Sequence, residues 1–257
     1  MSCLKLAIVQ FPRDHKDLEK NVVRMKEYIS QIPPAIDVVL LPEDWLGATV
    51  VDWGNYEKIV SSLYDMLKNK SCLLVSGAQY VRTKERIYSR GLALTGQPDS
   101  LVYFEKQFPS SAIGERKYVS PGTQLPVIMY RGSGIGTVVC VDLMYPELVR
   151  RLALQGAVLI LNPANIPATR MSLWQSIGIT RACENTVFVA MANNTGTSYP
   201  DGRQVLGESF VAYPEGYTLL TCGQEPGVYC FDLDLSVIER VRSRWPYLED
   251  ARLFVQK

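Results

Sequence analysis

Apolar and polar positions along this chain switch between two periods. Short, wholly apolar runs recur, and between them lie stretches where apolar residues return every third or fourth position. The first run, residues 5–11, reads as a buried strand. A helix follows from about Asp17, capped by Asp14 or Asp17, with an apolar stripe at Leu18, Val22, Met25 and Ile29. Pro33 and Pro34 stop it, and residues 37–41 form the next short apolar strand. Residues 55–67 predict a second helix and 72–76 a third strand. Strand-like runs at 88–95 and 101–105 are separated by a turn at Gly96-Gln97-Pro98.

The second half repeats the alternation. A strand is expected over 135–140 and a helix over 146–155, with Pro146 in its first turn and Gly156 just past its end. Residues 157–161 are an apolar strand, 169–184 a helix with Met171, Trp174, Ile177 and Ala182 facing inward, and 186–192 another strand. Hairpin-like strands are expected over 205–212, 217–221 and 227–233. The tail, 236–257, loses its core period after about Val241 and is expected to pack on a partner subunit. No linker, charge block or repeat divides the chain, so residues 1–257 read as a single α/β domain.

Composition then removes whole classes of function. Hydrophobic residues at 47% and charged residues at 21% over 257 positions suit a globule with a sizeable core. A net charge of +1 gives no reason to expect nucleic acid or an anionic membrane as partner. No apolar stretch approaches the roughly 20 residues that span a bilayer. The opening MSCLKLAIVQF lacks a small-residue cleavage site and suits a strand better than a signal peptide, so a cytoplasmic location is expected. Six cysteines (Cys3, Cys72, Cys140, Cys183, Cys222, Cys230) include no CxxC pair, and His15 is the single histidine. A zinc or iron–sulfur site is therefore not expected, and no cofactor is implied.

One histidine also removes most familiar hydrolase triads, so a nucleophile here must be served by a carboxylate or a lysine. Ligands of α/β proteins gather at the carboxyl ends of strands, and three reactive residues fall there. Cys140 closes the strand 135–140, where the N–H groups of the next helix favour a thiolate. Glu43 follows strand 37–41 through Leu41-Pro42, and Lys106 ends strand 101–105. A carboxylate can take a thiol proton and return it to a leaving group, and a lysine can stabilise an oxyanion. Taken singly, each has an ordinary explanation: a solvated loop carboxylate, a surface lysine, a core thiol.

Jointly they resemble the nitrilase, or carbon–nitrogen hydrolase, superfamily. Leu41-Pro42-Glu43 is similar to its glutamate motif, Tyr103-Phe104-Glu105-Lys106 to its lysine motif, and Cys140-Val-Asp142-Leu-Met-Tyr-Pro146-Glu147 to its cysteine motif. The flanks LAIVQF, Tyr118-Val-Ser-Pro121-Gly122, RRLALQGAVLILNPANIP, RACENTVFVAMAN and Gly207-Glu-Ser-Phe agree as well. The resemblance implies a four-layer α-β-β-α sandwich and an amidase-like Cys–Glu–Lys site. Cys140 would attack a small primary amide and form a thioester, Glu43 would act as base, and Lys106 with the N–H of Val141 would hold the oxyanion. Glu115 matches a second glutamate of the family, its ordinary reading being a surface partner of Arg116 or Lys117. Met144, Asn165 and Trp45 are placed at the substrate, and Asp142 as an anchor of the strand–helix turn. A homodimer or higher homo-oligomer is implied, with helix 169–184 and the tail as its face.

Two departures shape the expected substrate. Phe108 stands where many relatives carry histidine, which makes the pocket wall apolar and leaves Lys106 without a usual hydrogen-bonding partner. Met144 stands where many carry arginine, so a small substrate that is neutral or weakly polar near that wall is expected, unless Arg116 or Arg170 supplies a carboxylate contact. Val141-Asp142 in place of Trp-Glu speaks against a true nitrilase. A carbamoyl hydrolase stays open. A catalytically idle relative acting as a binding protein is the alternative of another class, and intact Glu43, Lys106 and Cys140 argue against it.

Overall fold

The first strand shows why this chain must fold in layers. In β1 (Cys3–Gln10), Leu4, Leu6 and Ile8 point into one apolar core while Ala7 and Val9 point into another. Successive side chains of a strand face opposite ways, so a strand apolar on both faces has to be covered on both. In the computed structural model of the chain, residues 3–69, 71–96 and 101–255 are described. Gln97 and Pro98 of the expected turn and the last two residues of the tail lie outside them.

After β1 come α1 (Leu18–Gln31), β2 (Val38–Leu40), β3 (Val51–Asp52), α2 (Trp53–Met66), β4 (Leu73–Val75), β5 (Gln79–Thr83), β6 (Arg86–Leu94) and β7 (Val102–Glu105). The second half holds β8 (Val127–Tyr130), β9 (Ser133–Thr137), α3 (Pro146–Leu154), β10 (Ala157–Pro163), α4 (Met171–Asn185) and β11 (Phe188–Ala192). Short strands β12 (Thr197–Ser198), β13 (Gln204–Val205), β14 (Phe210–Ala212) and β15 (Leu219–Thr221) lead to β16 (Gly227–Asp234), α5 (Ser236–Arg244) and α6 (Tyr247–Val255).

One sheet runs β16-β1-β2-β4-β6-β5-β3, with β7 on β6, and the other β15-β14-β11-β10-β9-β8. Parallel pairing joins β1, β2 and β4 in the first and β9, β10 and β11 in the second. Leu6, Val38, Leu40 and Val75 from one sheet share a core with Val138, Leu159 and Leu161 from the other. Met25 and Ile29 of α1 and Tyr56, Val60 and Leu63 of α2 cover the outer face of the first sheet. Leu152 of α3 and Trp174 and Ala182 of α4 cover the second. This is the four-layer α-β-β-α sandwich. At the carboxyl ends the two sheets are tied directly, by a bridge between Phe11 and Asn194 and by the N–H of Thr195 on the carbonyl of Phe11 (2.9 Å).

Several boundaries differ from those the periodicity predicts, each for a local reason. The expected strand 205–212 is two pieces, because Gly207 and Glu208 take left-handed conformations and Gly207 sits against the side chain of Gln10. Strand 135–140 ends at Thr137, and Cys140 opens a 3₁₀ turn, Cys140–Met144, before α3. β5 and β8 carry no clean alternation in sequence and are held by their hairpin partners β6 and β9. The tail is two helices: Ile238, Val241 and Leu248 are buried against the rest of the chain, although Leu253 and Phe254 are exposed.

Segments 41–44 and 75–78 lie side by side, with Leu41 N donating to Val75 O (3.0 Å) and Asp44 N to Ala78 O (2.7 Å). Gly77 completes this approach at φ +72°, and a Cβ there would lie 2.0 Å from the carbonyl oxygen of Pro42. Gly77→Ala is expected to cost at least about 2 kcal/mol in urea unfolding through strain and overpacking. A midpoint equal to the parent's would show that the contact is not tight.

Candidate active site

Four side chains from four separate segments meet where the two sheets present their carboxyl ends. Glu43 follows β2, Lys106 follows β7, Glu115 opens a 3₁₀ turn, Glu115–Lys117, and Cys140 follows β9. Their exposures are 2%, 1%, 0% and 7% in that order, so none is a surface group. The Lys106 ammonium donates to Glu43 Oε1 at 2.9 Å and to Glu115 Oε1 at 2.8 Å. Glu115 also accepts from the hydroxyl of Tyr80 (2.6 Å) and from the N–H of Ser110. It is a buried member of the cluster and makes no pair with Arg116, whose Nε donates to the carbonyl of Pro109. The expectation that Phe108 leaves Lys106 short of partners is likewise corrected, since two carboxylates hold it.

The electrostatics follow from burial. Burial pushes the Glu43 carboxyl up, with Lys106 pulling it back and Glu115 raising it further. Burial alone would lower Lys106, but Glu43, Cys140 and Glu115 outweigh it and hold the ammonium well above its ordinary range. Cys140 is pushed well up, first by burial and then by the charge of Glu43, while Lys106 and the backbone N–H of Asn165 oppose. These influences favour the thiol over the thiolate expected from helix N–H groups. The charge of Glu43 acts directly on that sulfur, so a carboxylate stands near the thiol whose proton it would receive.

Local geometry fixes the nucleophile. Cys140 has φ +48°, a left-handed conformation that costs a non-glycine residue about 1–2 kcal/mol and persists only where surroundings enforce it. Asn162 enforces it from β10, its Nδ2 donating to the carbonyls of Val138 (2.7 Å) and Cys140 (3.2 Å). Asp142 reaches across to the lysine segment and accepts the N–H groups of Gln107 (2.8 Å) and Phe108 (2.9 Å). It thus anchors the Lys106 loop to the Cys140 turn, more than the strand–helix turn itself. Burial pushes its carboxyl up to about 7, against those two N–H donors.

A cavity of about 550 Å³ opens over Cys140 and is walled by Val141, Met144, Asn165 and Trp174, with Arg170 and Arg203 as its charged members. Asn165 turns its backbone to the sulfur and the cavity, and its side-chain oxygen accepts from Asn194 (3.0 Å). Trp45 does not line the cavity. It is fully buried, packs edge-on against Phe11 and donates its indole N–H to Ser76 O at 2.8 Å. Phe108 also lies outside, stacked on Tyr145 with ring centroids 4.3 Å apart. Sequence reasoning missed Tyr80, Asn194 (Nδ2 to Glu43 O, 2.8 Å) and Tyr199, whose hydroxyl donates to Asn165 O. No local pattern marks them, because each reaches a partner at least 34 positions away. Among the described residues, no group of His, Cys, Asp and Glu is arranged to hold a metal ion, and no helix is long and apolar enough to cross a membrane.

A thiol at the edge of a cavity, with a buried carboxylate and ammonium paired behind it at the carboxyl ends of two such sheets, is an arrangement that suits a hydrolase of the nitrilase type. The carbon–nitrogen hydrolase profile matches residues 5–243, and the chain belongs to that family. It is similar to 2-oxoglutaramate amidase of Bacillus subtilis (strain 168), at 26% identity over 96% of this chain and 97% of the relative. It is similar also to omega-amidase YafV of Yersinia enterocolitica, at 28% over 99% of each. In structure it resembles XC1258 of Xanthomonas campestris, a CN-hydrolase superfamily protein (TM-score 0.88, 22% identity, 97% of each chain covered). A mutant of the amidase from Nesterenkonia sp. AN1, with an acetamide moiety covalently added at the active-site cysteine, has the same fold (TM-score 0.79, 23% identity, 98% of this chain and 95% of that one).

Lys106 is the ion-pair partner of two buried carboxyls, so Lys106→Met is expected to destabilise the fold by about 3–5 kcal/mol near neutral pH. The deficit should shrink as pH falls, because the two carboxyls left behind can then take up protons. Urea unfolding at several pH values checks this, and a deficit that grew on acidification would refute it.

Proposed function

We propose that this enzyme hydrolyses the terminal amide of a small dicarboxylic acid monoamide, releasing ammonia, through a thioester on Cys140. The observation that carries the reading is the Lys106 ammonium held between Glu43 and Glu115 beside the Cys140 thiol. Glu43 takes the thiol proton as Cys140 Sγ attacks the amide carbon, and the Lys106 ammonium and the Val141 N–H receive the oxyanion. The tetrahedral adduct collapses, Glu43 passes its proton to the departing nitrogen, and ammonia leaves. Water, deprotonated by Glu43, then adds to the thioester, and its collapse returns the acid and the thiol. Amidase-named relatives and the covalent cysteine adduct of the Nesterenkonia amidase support this chemistry.

The carboxylate end of the substrate is argued from the cavity wall. Among the described residues its charged lining groups are two guanidiniums, Arg170 and Arg203. Arg203 is already paired with Asp201 (2.8 Å), whereas Arg170 has no carboxylate partner among the described residues. An unpaired cation over a largely apolar pocket favours an anionic tail. This reverses the neutral substrate expected from Met144 and leaves Arg116, which lies outside the cavity, without a part in it.

The test is ammonia release from ω-amides, uncharged amides of equal length, carbamoyl compounds and nitriles, beside Cys140→Ala and Arg170→Met. Activity is expected to be highest on ω-amides, to vanish in Cys140→Ala, and to lose tenfold or more in kcat/KM, mainly through KM, in Arg170→Met. Equal turnover of charged and uncharged amides by the parent would overturn the carboxylate reading and leave the amidase reading standing.

A further inference from the structure

Beside Glu43 lies a second carboxyl that the proposed chemistry leaves unused. Asp44 takes a left-handed conformation (φ +53°) and is buried, as is the Arg13 side chain behind it. Arg13 Nη1 donates to the backbone carbonyl of Asp44 at 3.0 Å and stands 4.0 Å from its Oδ2. Asp44 Oδ1 has no hydrogen-bond partner among the described residues.

Two cations, Lys106 and Arg13, thus face three buried carboxyls, Glu43, Asp44 and Glu115. If all ionise, the cluster carries one surplus negative charge in a site shielded from water, so it has reason to bind one proton. The donors are shared unequally. Glu115 receives Lys106, Tyr80 and the N–H of Ser110, and Glu43 receives Lys106 at 2.9 Å. Asp44 receives only Arg13 at the limit of an ion pair. A neutral carboxyl without partners costs far less in a buried site than a carboxylate without partners.

We propose that Asp44 is a positioning residue that holds this one proton at neutral pH and so keeps Glu43 ionised as the base for Cys140. The groups that act on it are Glu43 on its own loop, Arg13 after β1, Lys106, Glu115 and Tyr118 after β7, Tyr56 of α2, and Tyr80 and Tyr199 across the site. Burial, followed by the charge of Glu43, outweighs Arg13 and holds the Asp44 carboxyl well above the ordinary carboxylate range, in the same direction.

The inference rests on Glu43 serving as base, and its test needs no amide, so the two can fail separately. The rate of iodoacetamide alkylation at Cys140, followed by peptide mass spectrometry across pH, reports the base on its acid limb. Asp44→Asn imitates the protonated residue and is expected to leave that limb within about 0.3 of a pH unit of the parent's. Infrared difference spectra of the parent against Asp44→Asn at about pH 8.5 are expected to show a protonated-carboxyl C=O band, at a pH where Asp142 is mostly ionised. Asp44→Ser serves the same comparison if the asparagine variant does not fold. Absence of the band, or a downward shift of the limb by a unit or more (tenfold in rate on that limb), would overturn the proposal.

Discussion

The ammonium of Lys106, buried between two carboxylates, is the constraint on which the rest of the site depends. A lysine removed from water is unfavourable unless partnered, and so are Glu43 and Glu115. Together they make each other tolerable. The arrangement is rigid for the same reason, since moving any one of the three strands a buried charge. Rigidity in turn fixes the ammonium and the two carboxyls relative to the segment that carries Cys140.

That constraint reaches outward through backbone. Asp142 fastens the segment after Lys106 to the turn that carries Cys140. Asn162 holds the left-handed cysteine from β10, and Asn194 reaches from the end of β11 to the carbonyl of Glu43. The Asp142 and Asn194 links cross between the two sheets, while the Asn162 link ties neighbouring strands of one, so the inter-sheet core and the site stabilise one geometry. The strain at Cys140 and Asp44 is carried by this framework, as expected where function asks for uncommon backbone conformations.

Much of this was readable from the chain. Runs apolar on both faces, such as β1, β2 and β10, cannot be satisfied by one layer of cover, and strand–helix alternation around them predicts a parallel-cored α/β fold. Glu43, Lys106, Glu115 and Cys140 stood out because their motifs occur in order with fitting spacing. The helix caps were legible too: Asp17 accepts the N–H of Lys20 as its position suggests. Boundaries were harder. The split between β13 and β14 comes from the packing of Gly207 on Gln10, a contact 197 positions away in sequence, and no local pattern signals it.

The sequence by itself determined which residue types occupy strand ends and which faces must be buried, because those properties are local and periodic. Tertiary structure alone decided the charge state of the site. Cys140 is pushed well up, Asp142 is pushed up to about 7, and Lys106 is shared between Glu43 and Glu115, because burial and distant charges act on each. It also decided which residues face the cavity, placing Arg170 there, burying Trp45 and leaving Phe108 outside against Tyr145. Dielectric environment and direction of approach are properties of neighbours in space, and spacing along a chain does not encode them.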